Sequence, residues 1–539
     1  MRDDFLFLIW GHGQDLWLVR RFREQAGRYG FDALDLYYIA ACTPREVSRF
    51  CRNIFEANLR VVPYMWRFYY RGRDLVRKPC LTDPKYRSKV VRRMTELTEA
   101  LYPYGPPGYT LGDENFLAPH GVDVCRSETC LAKFREYLKR KYGSLERVNE
   151  VLGANFPSLE LLVPPTFSEA KERGLWALWA EHRRFMEEVF DEIHDLALEA
   201  IRGVDPEARV GFDGPGPTDS WHGYDWAKLL DKFRLMGTYH RLPEIEIVRS
   251  LARKGTLLGS WYGGYIAQRR PELLRWLPWS MLSLGYNSCW YFSTTHSEGA
   301  FAPDLSPHRH FLWQLPEMWA IRSGLGKLFV NCEKLHDGVA ILYSQPSVHG
   351  ATLSGEIEGW REAHRGTILA LRDLGVGFKY VSYLDLRERG ARALEGFKVL
   401  VLPLTQALSD AEAMAIEEFV SRGGFVVADL RPASMDEICR PRDGGMLSGL
   451  FGARLGPKPE PLDAEGSVRW DGLVLSLKSV RADASVKPEG AKVMGQAGRT
   501  PIVLVNRRGE GCAILLNFAL SGYEGLRGNE EAEPLLSLL

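Results

Sequence analysis

The chain has 539 residues, 45% of them hydrophobic and 26% charged, with 69 basic and 69 acidic side chains and a formal net charge of zero. That length exceeds what one hydrophobic core serves, so two or three domains are expected. The charge balance excludes a dedicated nucleic-acid binder, which carries a basic excess, and no run approaches the roughly 18 apolar residues needed to span a bilayer.

The opening MRDDFLFLIWGHG reads as a first strand and not as a leader, because its apolar run is short and passes straight into polar residues. Nine cysteines, an odd number without a secretion signal, point to reduced thiols in a cytoplasm. Arginine greatly outnumbers lysine, which is compatible with a thermophilic source. Fifteen tryptophans are mostly core, with a surplus of the kind that stacks on sugars.

Strand candidates fall in chain order at 5–12, 31–39, 59–66, 108–114, 209–213, 233–240, 256–262 and 287–293. Helical patterns lie between them, at 44–57, 84–103, 174–203 and 308–325, among others. The 174–203 segment repeats apolar residues at three- and four-residue steps and stops at Gly203. Eight strand–helix units across residues 1–330 describe a (β/α)8 barrel of the TIM type with insertions, in which chemistry sits at the C-terminal ends of the strands. From 337 a second strand–helix alternation begins, with a Ser409 N-cap and a Gly423-Gly424 stop around one helix. It predicts a flavodoxin-like or glutamine-amidotransferase-like α/β domain over 331–450. After about 455 the helical period is lost, and 451–539 reads as a small β-rich tail.

The sharpest chemical signal is the strand Gly108–Glu114, which ends in Asp113-Glu114-Asn115. A glycosidase needs one protonated carboxyl for the leaving oxygen and a second carboxylate as nucleophile or base. A carboxyl at the foot of an apolar cleft is held protonated by desolvation, which suits the acid role. A solvated loop is the competing reading of the same three residues. Other strand-end side chains that open toward such a cleft are His12, Arg67, Asp213, Trp221, Tyr239, His240, Trp261, His296 and Glu298.

Around the fourth strand the chain resembles glycoside hydrolase family 42, the β-galactosidases, in which that strand ends in Asn-Glu. The likeness continues through Ala132-Lys-Phe134-Arg135-Glu-Tyr137-Leu138-Lys-Arg-Lys-Tyr142-Gly143-Ser-Leu145-Glu-Arg-Val148-Asn149, a helix motif of that family, and Trp176 and Trp179 on the next helix also fit. The resemblance implies Glu114 as catalytic acid/base, Asp113 in place of an Asn that contacts the sugar 2-hydroxyl, and a β-linked glycoside, first a galactoside, as substrate. It implies a homotrimer or other homo-oligomer, with 331–450 as a non-catalytic trimerisation domain. The strand at Val399–Leu402 runs into Pro-Leu-Thr-Gln without the cysteine an amidotransferase needs. No Gly-rich phosphate loop follows the first strands.

The family's cysteine cluster is kept at Cys80, Cys125 and Cys130, with Ser127 in the middle position. No cofactor is required for the chemistry. A structural zinc is possible on the three thiolates if a fourth ligand such as His120 joins, against free thiols or a Cys125–Cys130 disulfide. The second carboxylate is where the chain departs. The family ends strand seven in Met-Glu, whereas Thr256–Tyr262 holds no acid. Glu298, which matches a family carboxylate that holds sugar hydroxyls, and Asp213 remain as substitutes. The alternative is a non-hydrolytic carbohydrate-binding protein or assembly scaffold.

Overall fold

The computed structural model describes residues 4–11, 29–36, 39–267, 270–295, 299–470 and 472–537. Eight parallel strands form the first unit: β1 Leu6–Gly11, β2 Ala33–Leu36, β3 Arg60–Pro63, β4 Tyr109–Asp113, β5 Val210–Asp213, β6 Leu235–Tyr239, β7 Leu257–Gly263 and β8 Ser288–Phe292. They pair in the order β3-β2-β1-β8-β7-β6-β5-β4. The ring closes where Tyr64 bridges Thr110 and the Met65 amide donates to the Thr110 carbonyl at 2.8 Å. This is the expected (β/α)8 barrel, and each strand lies within its predicted span except β7, which runs one residue further, to Gly263.

Alternation along the strands builds the interior. Leu6, Leu8, Ala33, Val62, Leu235, Leu257, Trp261 and Trp290 pack inside the ring, while Phe7, Ile9, Leu34 and Met236 face the helices. Trp290 is too large for a filled layer, and two glycines make its space. A Cβ at Gly259 would lie 2.0 Å from the Trp290 Nε1, and one at Gly237 would lie 2.6 Å from its ring. The low interior is therefore plugged and mostly apolar, with the Trp290 indole N–H donating to the Ser288 hydroxyl at 2.9 Å within it.

The long helix Trp176–Arg202 flanks the barrel and is covered by the second unit. That unit has strands β9 Val339–Tyr343, β10 Phe378–Ser382, β11 Val399–Leu402 and β12 Phe425–Ala428, followed by β13 Pro461–Trp470, β14 Leu473–Asp483, β15 Lys492–Ala497, β16 Thr500–Arg508 and β17 Gly511–Leu516. All nine share one sheet, ordered β10-β9-β11-β12-β17-β16-β15-β13-β14. The parallel α/β half passes into an antiparallel half through the parallel β12–β17 pair. The β-rich tail thus extends the sheet of the α/β unit.

Buried polar contacts tie this unit to the barrel. His349 lies 3.2 Å from Glu187 and 2.8 Å from the Ser220 hydroxyl, and Tyr383 donates to Asp225 at 2.6 Å. Among the described residues, no helix is long and apolar enough to cross a membrane.

Candidate active site

The fourth strand does not run straight to its end. Gly112 sits at φ 118°, where a Cβ would lie 2.0 Å from the Trp66 carbonyl oxygen, and Glu114 itself adopts φ 52°. A left-handed non-glycine residue is a costly conformation that clusters at functional sites. Here it turns the Glu114 side chain out of the ladder and leaves it half exposed, in a cavity of about 560 Å³ that Tyr239, His222 and Arg241 also line. Asn115, the next residue, is buried and braces the loop after β3: its Oδ1 accepts the Phe68 amide at 3.0 Å. Arg77, on a short hairpin, is buried as well and donates to the carbonyls of Leu117, Pro79 and Phe68. These contacts fix the two loops that frame the cavity.

The Arg67 guanidinium meets Glu114 Oε2 at 3.0 Å and lies 4.5 Å from the Tyr69 ring centre. The Tyr239 hydroxyl donates to Glu114 Oε1 at 3.4 Å. Beside them are two aspartates on neighbouring strands. Asp113 and Asp213 are register partners, and the Glu114 amide donates to the Asp213 carbonyl at 2.9 Å. Burial pushes the Asp113 carboxyl up to about 8, with the Asp213 and Glu114 charges adding to the rise and Arg67 opposing it. Burial likewise pushes Asp213 up to about 7, against the Thr110 hydroxyl and the Trp261 indole, which favour the anion. Thr110 hydrogen-bonds Asp213 Oδ2.

Sequence reasoning missed Asp35. It occupies an inward position of β2, opposite Trp10 in register, and is raised well above the carboxylate range by burial and then by the Asp213 and Asp113 charges. Its signal was available: an acid inside the otherwise apolar run Ala-Leu-Asp-Leu.

Other expectations divide. Trp261 stands inside the barrel at the end of β7, edge-on to Trp290 at 5.3 Å, so an indole fills the strand-seven mouth and no carboxylate lies anywhere on Leu257–Gly263. Trp221 is corrected. It is buried in an aromatic cluster with Trp179, Phe167 and His120 because the long helix needs that cover, and it does not face the cavity. His240 is corrected too. Its ring turns to the outer helix, 3.3 Å from the Ser280 hydroxyl and 5.3 Å from Trp276, and burial draws it down to about 4. His12, His296 and Glu298 lie outside the described residues.

The cysteine cluster forms away from the cleft. The Sγ atoms of Cys80, Cys125 and Cys130 lie within 4.8 Å of one another, and Cys80 and Cys125 are 3.9 Å apart. All nine cysteines are free thiols, so the Cys125–Cys130 disulfide is excluded. A tetrahedral zinc with Zn–S bonds near 2.3 Å separates its sulfurs by about 3.8 Å, so the residues fit such an ion. His120 is not the fourth ligand: it pairs with Asp219 at 3.0 Å. The Ser127 hydroxyl, 3.0 Å from Cys80 and 3.3 Å from Cys125, occupies that side.

Comparison with known proteins agrees with this geometry. A β-galactosidase family model matches residues 72–246, and the β-galactosidase trimerisation-domain model of the same family matches 383–524. The chain belongs to glycoside hydrolase family 42. Among curated relatives, β-galactosidase BgaB of Geobacillus sp. (strain Y412MC61) is 22% identical over 63% of this chain and 54% of its own length, and β-galactosidase BgaH of Haloferax lucentense is 22% identical over 80% of this chain and 70% of its own. The chain thus spans about half the length of the first of these relatives. The β-galactosidase structure from Bacillus circulans sp. alkalophilus superposes with a TM-score of 0.79 at 16% identity, covering 98% of this chain and 88% of that one, which shows a shared fold.

Proposed function

We propose that this chain is a glycoside hydrolase that cleaves a β-linked glycoside, a galactoside or related sugar, with Glu114 as the general acid/base. One observation carries the reading: Glu114 is turned by a left-handed backbone into an open cavity, while Asp213 is buried and Asp113 partly buried beside it. Protonated Glu114 would donate to the leaving oxygen. Arg67 and Tyr239 hold its two oxygens, one each, and so set its direction. With an indole in the strand-seven place, Asp213 is the one of the two expected substitutes, Glu298 and Asp213, that lies among the described residues, and it would serve as nucleophile or base. Its Oδ2 is held by Thr110, and the Trp261 indole favours its anion.

The matched trimerisation-domain model supports a homotrimer. Three sulfurs within 4.8 Å of one another, with Cys80 and Cys125 3.9 Å apart, support a structural zinc held by Cys80, Cys125 and Cys130, whose role would be to pin the loop before the helix Glu128–Tyr142. Nine free thiols support a cytoplasmic setting, and the arginine excess is in keeping with a thermophilic source.

The test is hydrolysis of a panel of aryl β-glycosides by the wild type and by Glu114→Gln. Loss of an acid/base group costs on the order of 10²–10⁴ in rate. Equal turnover by both proteins would place the active site elsewhere. A wild type that binds sugars but cleaves none would favour the carbohydrate-binding alternative.

A further inference from the structure

The loop after β3 folds into a tight hairpin, with strands Arg71–Arg73 and Val76–Lys78, and its two faces differ. Asp74 and Leu75 join the strands with φ of 53° and 63°, the left-handed pair that a two-residue turn demands, and neither is glycine. The Arg126 amide holds the turn by donating to the Leu75 carbonyl at 2.8 Å. On the inner face Arg77 is buried. It donates to the Leu117 carbonyl at 2.8 Å and to the Phe68 carbonyl at 2.5 Å, which seats the hairpin on the loop after Glu114 and beside Arg67. The hairpin is therefore a fixed part of the cleft wall.

Its outer face carries charge of one sign. Alternation places Arg71, Arg73 and Lys78 on the side away from Arg77, and all three are exposed. Arg71 and Lys78 are register partners. Like charges directly opposite across an antiparallel pair stand roughly 5 Å apart and weaken it. Among the described residues no carboxylate pairs with any of the three, and Asp74, the hairpin's own acid, forms no ion pair with them. The charge also continues inward. The Tyr69 ring lies 5.9 Å from the Arg71 guanidinium and 4.5 Å from that of Arg67, which reaches Glu114 at 3.0 Å. Trp66, Arg67 and Tyr69 line a second cavity, of about 160 Å³. A track of cation, ring and cation thus leads from Glu114 out to the hairpin.

What this face lacks is an anion. A neutral glycan would leave the repulsion between Arg71 and Lys78 as it stands. A nucleic acid answers to a broad basic surface, and this chain has a formal net charge of zero. A sulfated or carboxylated glycan fits both features: one sugar enters the cleft at Glu114, and a neighbouring unit carries its anion past Tyr69 to the hairpin. An exposed guanidinium takes a sulfate or carboxylate through two parallel hydrogen bonds, and Lys78 adds a point charge beside it.

We propose that the hairpin receives the anionic groups of an acidic oligosaccharide, sulfate or carboxylate on a sugar unit beyond the one that is cut, with Arg71, Arg73 and Lys78 as the counter-charges. The proposal rests on the hydrolase reading for its reaction, but not for its binding.

The test uses a β-linked galactotetraose, the same chain after chemical sulfation, and the same chain with its primary hydroxyls oxidised to carboxylates. Each is measured by calorimetric binding and by hydrolysis, with the wild type and with the triple variant Arg71→Gln, Arg73→Gln, Lys78→Gln. Three exposed ion pairs together contribute on the order of tenfold. The expected result is an anionic chain bound about tenfold more tightly than the neutral one at low salt, by a margin that shrinks at about 0.2 M salt and collapses in the triple variant. Whichever anionic chain gains more tells sulfate from carboxylate. The variant should melt no lower than the wild type, because it removes a like-charge pair; if it melts lower, Arg71→Gln alone takes its place. Equal binding of neutral and anionic chains, or a margin that survives the substitutions, overturns the inference and leaves the hydrolase reading standing. So does a short DNA duplex held more tightly than either anionic chain, or an anionic chain that binds but stays uncut while the neutral one is cut. If no chain is cut, the hydrolase reading falls and binding alone decides: the same margin, lost in the variant, upholds the inference, and its absence overturns it.

Discussion

Replacing Asp113 by Asn should stabilise the protein, and by more at pH 8 than at pH 5. The amide keeps the size of the side chain and removes the charge. In the unfolded chain this aspartate loses its proton near 3.8, whereas in the fold burial and the charges of Asp213 and Glu114 hold it to about 8. Between those values the folded state binds the proton and the unfolded state does not, so stability falls as pH rises. At roughly 1.4 kcal/mol per unit, carrying Asp113 costs on the order of 5 kcal/mol at pH 8 and on the order of 2 kcal/mol at pH 5. The advantage of Asp113→Asn should therefore grow by about 3 kcal/mol between the two pH values, a difference of several degrees in melting temperature. Scanning fluorimetry of both proteins at both pH values reads this directly, and comparing the two proteins cancels the titrating groups that do not interact with Asp113. An equal shift at pH 5 and pH 8, or a variant that loses stability at pH 8, would refute the account of the aspartate group. A cleft that keeps such a group against its own stability shows the trade expected of a site under functional selection.

Two further expectations concern the frame of the site. Gly259→Ala should destabilise the barrel by about 1–3 kcal/mol, because the new Cβ would lie 2.0 Å from the Trp290 Nε1 and that indole has nowhere to retreat; denaturant unfolding measures it, and a neutral substitution would mean the interior packs otherwise. Metal analysis of the purified protein should find one zinc per chain, lost together with several degrees of thermal stability in Cys125→Ser or on chelation, while a metal-free protein with unchanged melting in Cys125→Ser would make the cluster three plain thiols.

The barrel was legible in the sequence because its strands are short apolar runs set apart by long amphipathic helices. The second unit was legible for the same reason, whereas β13 and β15 were not. Pro461–Trp470 alternates mostly exposed residues with few buried ones, and Lys492–Ala497 includes Gly495 in its interior, so neither carries the apolar run that marks a strand. In the site, Glu114, Arg67 and Tyr239 were singled out as strand-end residues, Glu114 with the help of the family likeness, and the fold brings the three side chains into contact. Trp221 and His240 were misplaced by the same rule. Both follow strand ends, but a residue beyond the ladder is free to turn, and burial of the aromatic ring decided each case in favour of a neighbouring helix or aromatic cluster. Asp35 was overlooked for the opposite reason: it lies inside a strand, where an acid reads as an interruption until the ring is closed. Only then do β2, β4 and β5 bring Asp35, Asp113 and Asp213 near enough for the charge of one to raise another. Residues far apart in the chain acquire their shifted titration from one another and from burial, which is a property of closure and not of any local motif. The empty acid position on β7 belongs with this. Trp261 removes a charge from one side of the mouth, and Asp35 and Asp213 supply charge at others. The cleft has therefore been rearranged around a different distribution of charge, and what it recognises should differ accordingly.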